Sequence, residues 1–261
     1  MNNDFQIEVL HSFIYQKMGE EIDDCQDSLD FNFVNNRFCV ADGVSRSFYP
    51  AIFSKQLTYF FCHSDYPDNT DLFTHKLWHQ WLKISQKQWL KDVQKKVDQT
   101  NKYYIKNRFY NNEHAGATFA GIEFHQNNQS ILFDAMIIGD SCLFHFDQSF
   151  NKKNQYLIQY STDFNFTPHY FPSRSVKDSL FEPKFITDRV SINDIFIIAT
   201  DAVSKWLLLL IENAQKNVLK TINSLSSETV DQYRTDQSYP LENDDIALLV
   251  LKVINQKNKK D

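Results

Sequence analysis

Five aspartates stand where short apolar runs start or stop. Asp42 follows "RFCVA", Asp140 follows "AMIIG", Asp201 follows "DIFIIAT", Asp244 (with Asp245 beside it) precedes "IALLVL", and Asp27 sits in "CQDSLDF". A strand end is where a sheet scaffold can hold a side chain to within a fraction of an ångström. Carboxylates gathered in this way cannot all stay ionised without positive charge among them. Hard divalent cations suit oxygen donors, Mg2+ or Mn2+ above all, and zinc is disfavoured because no His or Cys accompanies the acids. Two such ions a few ångströms apart generate hydroxide from a bridging water and neutralise phosphoryl oxygens during in-line attack. The residues therefore point to metal-assisted hydrolysis of a phosphate ester.

The pair Asp42-Gly43 by itself has two readings. Asp-Gly is ordinary turn chemistry; alternatively, Asp42 is a metal ligand at the tip of a strand and Gly43 lets the backbone carbonyl approach the same ion. The chain has only five glycines, and Gly43, Gly116 and Gly139 all fall beside the proposed strand ends.

The elements that must position these acids follow from the apolar pattern. Short runs rich in β-branched and aromatic residues predict strands at about 6–14, 29–34, 37–41, 117–124, 130–138, 141–147, 156–160, 194–199 and 245–253. Helical zones are predicted at about 48–63, 70–108 and 202–223. Strands in succession, with helices set between groups of them, predict antiparallel sheets with helices packed outside. Leu82, Trp89, Val93, Val97 and Tyr104 recur at helical spacing, which places them on one face with the interleaved lysines on the other. That stretch reads as a core-packed helix with a solvated basic face, not as a nucleic-acid surface. His75 and His79 lie four apart without a Glu beside them and read as a solvated pair.

Composition sets the class. With 261 residues, 42% hydrophobic and 15% aromatic, the chain can bury a large core, and no Pro, Gly or Ser-rich linker divides it. One domain over 1–254 with a polar tail at 255–261 is expected. The net charge of −6 argues against nucleic-acid or membrane-surface binding. The N-terminus lacks a signal-peptide pattern, and "WLLLLI" is too short to span a bilayer. Four scattered cysteines read as reduced, mostly buried thiols. A cytoplasmic, monomeric protein is expected.

Six segments in order, "CQDS" (25–28), "VADGV" (40–44), "GATFAGIEF" (116–124), "IIGDSCLFHF" (137–146), "IIATDAVSKWL" (197–207) and "NDDIALLVL" (243–251), resemble the protein phosphatase 2C family of metal-dependent Ser/Thr phosphatases. The resemblance spans nearly the whole chain. It implies an α+β fold, a four-layer αββα sandwich of two antiparallel β-sheets flanked by helices, with metals in a cleft at one end. By motif position it implies Asp42 bridging two Mn2+ or Mg2+ ions, with Gly43 offering its carbonyl. Asp201 and Asp244 complete one shell, Asp27 helps to hold the other ion, and Asp140 binds a weaker third. Asp42 and Asp201 are the implied catalytic residues. The implied substrate is a phosphorylated protein, with a Ser/Thr kinase as a further partner. The sequence departs from the pattern in places. Ile22 stands where the family carries a phosphate-clamping Arg, which leaves Arg46 as the candidate phosphate binder. The Gly pair usual after Asp-Gly-Val is missing, Ala202 replaces a common Gly, and Lys205 replaces an acid of the third-metal site. Residues 148–193 fall where the family has a variable flap. The alternative to an enzyme is a protein of the same fold that binds phosphoproteins as a regulator.

Overall fold

Along Arg37–Gly43 the side chains alternate between two cores, Phe38 and Val40 into one and Cys39 and Ala41 into the other. The same division recurs along the last strand, where Ala247, Leu249 and Leu251 face one core and Ile246, Leu248 and Val250 another. Strands buried on both faces read as unbroken apolar runs instead of alternating ones. The structure, a computed structural model, describes residues 5–64, 73, 77–127, 130–156, 158–164, 168–175 and 182–256.

In chain order the elements are β1 (Phe5–Tyr15), β2 (Ser28–Asn32), β3 (Arg37–Gly43), α1 (Pro50–His63), α2 (Trp78–Gln99), α3 (Tyr103–Tyr110), β4 (Gly116–Asn127), β5 (Ser130–Ile138), β6 (Cys142–Phe146), β7 (Lys152–Tyr156), β8 (Phe171–Pro172), β9 (Lys184–Val190), β10 (Ile195–Ala199), α4 (Asp201–Glu212), α5 (Val218–Asn223), α6 (Val230–Arg234) and β11 (Ile246–Asn255). One sheet has the order β1-β11-β10-β6-β7 and the other β2-β3-β4-β5-β9, with β8 paired to β4. All the pairings are antiparallel. The sheets face one another across Phe38, Phe124, Phe133, Phe196 and Leu249. Helices α1 and α2 cover the outer face of the second sheet, with Phe53, Phe61, Trp81 and Trp89 fully buried there. Helices α4–α6 cover the outer face of the first through Val203, Trp206, Leu207, Ile222 and Val230. This is the expected α+β sandwich of four layers.

The helix over 78–99 presents Leu82, Trp89, Val93 and Val97 inward, as its spacing predicts, with Lys83, Lys87, Lys91 and Lys95 exposed. Tyr104 departs from that face. Thr100 is extended and ends α2, so the helical register is lost and Tyr104 lies exposed on α3. The long zone at 202–223 is likewise two helices, parted where Ala214 and Asn217 take positive φ. The strand expected near 156–160 lies earlier, at β7, and β9 was not anticipated, because Thr187, Asp188 and Arg189 interrupt its apolar pattern. His79 is exposed on α2; His75 lies outside the described residues. Of the expected tail, Asn255 completes β11, and 257–261 lie outside the described residues. The four cysteines are buried and unbridged. Among the described residues no helix is long and apolar enough to cross a membrane.

Candidate active site

The antiparallel register brings the relevant strand ends to one end of the sandwich. Asp42, at the end of β3, lies opposite Thr118 near the start of β4, and Phe119 lies opposite Ile138 at the end of β5. In the other sheet, Ala199 at the end of β10 pairs with Cys142 and Leu248, at the starts of β6 and β11. The residues just beyond these ends are Asp140, Asp201 and Asp244. Together with Asp42 they line an open cleft of about 370 Å³, whose wall also includes Gly43, Thr118, Lys205, Glu242 and Asp245. Phe164 and Pro168 close part of its rim, so the segment 148–193 does reach the cleft.

Asp27 lies behind Asp42, only 1% exposed. The two carboxyl groups lie beside one another, so a proton or a cation between them would relieve their repulsion. Burial first, and then the charges of Asp27, Asp201 and Asp140, holds Asp42 well above the usual carboxylate range. Asp27 is raised by burial and by Asp201, against a hydrogen bond from Thr200 that favours its ionised form. Burial and the charges of Asp140 and Asp244 push Asp201 up to about 7. Asp140 rises to about 6, chiefly by burial, against the nearby Thr118 hydroxyl, which favours its ionised form. Asp244 is raised by burial too. Such a set of acids is one that a cation would relieve.

The donor set fits hard divalent ions. Asp27 Oδ2 and Asp140 Oδ1 are buried without a hydrogen-bond partner, and an unpaired buried carboxylate oxygen is costly unless it meets a positive charge. Among the described residues, no three His, Cys, Asp or Glu side chains stand together ready to hold a metal ion.

Two glycines serve the site by having no side chain. A Cβ at Gly43 would lie 2.8 Å from the Gln26 carbonyl oxygen and 2.9 Å from Pro50 Cβ, so the chain beside Asp42 packs against the start of α1. Gly139 has φ +87°, and a Cβ there would meet Thr118 Cγ2 at 2.5 Å. The left-handed backbone alone costs a residue with a Cβ about 1–2 kcal/mol. Gly139→Ala is therefore expected to lower the melting temperature and to displace Asp140, measurable as a reduced melting point and weaker Mn2+ binding; an unchanged melting point would count against this turn geometry.

Several supporting groups were not singled out from the sequence. Asp245 is 4% exposed and accepts from the backbone N–H groups of Lys17 (2.9 Å) and Gln26 (2.7 Å), so it braces the site instead of facing a ligand. Arg234 donates to the carbonyls of Asp244 (2.6 Å) and Gln16 (3.0 Å). Thr118 and Ser141 hydroxyls are 2.7 Å apart. The polar Thr118 inside the apolar run "GATFAG" was the one visible signal among these. Arg46 sits on the exposed loop after β3 with φ +68°, and its carbonyl accepts from Arg108 at 3.4 Å. It is not among the described residues that line the cleft. Ile22 is 49% exposed.

The fold is that of the protein phosphatase 2C-type Ser/Thr phosphatases. Three solved structures carry the likeness. The catalytic domain of the serine/threonine protein phosphatase PstP in complex with two manganese ions aligns with TM-score 0.56 and 13% identity, covering 96% of this chain and 100% of that one. The S. agalactiae serine/threonine phosphatase gives 0.54 and 12%, covering 94% and 99%. PppA, a regulatory component of T6SS in Pseudomonas aeruginosa, gives 0.53 and 14%, covering 97% and 99%. No protein-family model and no curated protein matches the sequence.

Proposed function

We propose that the chain is a metal-dependent phosphoprotein phosphatase that hydrolyses phospho-Ser or phospho-Thr. The observation that carries this reading is the convergence of Asp42 and Asp140 from one sheet with Asp201 and Asp244 from the other on a single cleft, two buried carboxylate oxygens of the cluster being unpartnered. Asp42, with the Gly43 carbonyl, would bridge two Mn2+ or Mg2+ ions; Asp201 and Asp244 would complete one shell, Asp27 would support the other, and Asp140 would serve a weaker third ion. When bound, such ions supply an activated water and neutralise charge on the phosphoryl oxygens.

The chain's own residues do the positioning. Thr118 and Thr200 lie beside Asp140 and Asp27 and favour their ionised forms. The N-terminus of α4 favours an ionised Asp201 in its first turn. Arg46, on the exposed loop after Asp42, would reach the substrate phosphate only by turning toward the cleft, whose described lining residues do not include it. The substrate is a phosphorylated protein, with a Ser/Thr kinase as the enzyme that supplies it. Ile22, uncharged and exposed, favours the second reading, a phosphoprotein-binding regulator of the same fold.

The test is hydrolysis of a small aryl phosphate and a phosphothreonine peptide with Mn2+, with Mg2+ and with chelator. Turnover that requires metal is the expected result, together with a rise in melting temperature on Mn2+ addition, about 2.7 kcal/mol of stabilisation at a hundredfold excess over Kd. A folded protein that binds Mn2+ and turns over neither substrate would replace the enzyme reading by the regulator.

A further inference from the structure

We infer that Lys205 recognises the phosphate group of the substrate, an inference that rests on the phosphatase reading above. Among the described residues lining the cleft, Lys205 is the one cation; Asp42, Asp140, Asp201, Glu242, Asp244 and Asp245 are all acids. With two divalent ions bound and the weaker third site empty, six ionised acids outweigh the ions, so the wall still repels a phosphate dianion. Productive binding requires a further positive group at the mouth of the cleft.

Lys205 is placed to supply it. It follows Asp201 by four residues on α4, one turn along the same helical face, so its stem rises beside a proposed ion ligand. Its ammonium is paired with Glu242, and the two side chains are 38% and 50% exposed. An ion pair this open to water is held weakly. An incoming phosphate can therefore take the place of Glu242, and the long flexible lysine stem lets the ammonium follow it. Only partners are exchanged; no covalent bond forms or breaks. The two other positions in question do not supply the charge within the cleft. Ile22 carries none, and Arg46 lies outside the described lining residues.

The experiment uses the full chain loaded with Mn2+. Inorganic phosphate is titrated by calorimetry, and kcat and KM are measured for an aryl phosphate. Lys205→Ala is expected to weaken phosphate binding and raise KM by about 10- to 100-fold, the worth of a charge-assisted hydrogen bond, without weakening Mn2+ binding. Lys205→Arg should recover most of the loss, and Glu242→Gln, which frees the ammonium, should tighten phosphate binding. Wild-type turnover with unchanged phosphate affinity and KM in Lys205→Ala overturns the inference and leaves the phosphatase reading standing, as does a KM rise confined to Arg46→Ala. If the wild type shows no turnover with any metal, the phosphatase reading fails, and calorimetry still decides on Lys205: weaker phosphate binding in Lys205→Ala supports its role, and equal or absent binding in both proteins overturns it.

Discussion

Asp42→Asn is expected to lower metal-dependent phosphate-ester hydrolysis by a factor on the order of 10³, because several kcal/mol of transition-state charge stabilisation goes with the ions it would bridge. The melting temperature in chelator is expected to stay the same or rise. Asp42 and Asp27 lie beside one another, and burial together with neighbouring charge disfavours ionising Asp42. An amide at 42 donates to Asp27 without adding a charge. The activity loss must be accompanied by loss of Mn2+ binding in calorimetry. Wild-type activity under saturating Mn2+ would remove Asp42 from the ion-binding role, whereas a large drop in melting temperature would make Asp42 a structural group.

The adjacent acids Asp244 and Asp245 should separate cleanly. Asp245→Ala strips the acceptor from the part-buried Lys17 and Gln26 N–H groups, and an unpaired donor costs about 1–3 kcal/mol when fully buried and less when water can reach it. A loss of about 1–4 kcal/mol is expected for the pair, seen as a fall in melting temperature of roughly 2–15 °C for a chain of this size. Asp244→Asn keeps the carbonyl oxygen that accepts from the Asp245 N–H at 2.9 Å. It should melt like the wild type while losing turnover and Mn2+ affinity. The reverse pattern would exchange the two assignments.

Much of the candidate site's placement in the fold was legible because strand ends are legible. An apolar run closed by Asp, as at Asp42, Asp140 and Asp201, marks both a buried strand and a carboxylate held at its tip, and the six ordered segments set the topology. What was not legible depends on contacts between elements distant in sequence. The difference in role between Asp244 and Asp245 is decided by Lys17 and Gln26, more than two hundred residues away. Arg234 reaches the site only because α6 packs where the ends of β1 and β11 meet. Arg46 is exposed on a loop where it takes a left-handed backbone as a non-glycine residue, which no local pattern announces. The break between α2 and α3 fell inside a run whose apolar spacing continued across it, so periodicity alone carried Tyr104 into a core it does not enter.

The cleft takes Asp42 and Asp140 from one sheet and Asp201 and Asp244 from the other. Among the described residues no strand hydrogen bonds join the two sheets; at this end they are held by side-chain packing and a few braces such as Asp245. An ion shared between Asp42 and Asp201 would thus act as a clasp across the seam of the sandwich. On that reading, its departure would loosen the mutual alignment of the two halves, and occupancy of the cleft would be coupled to the cohesion of the layers.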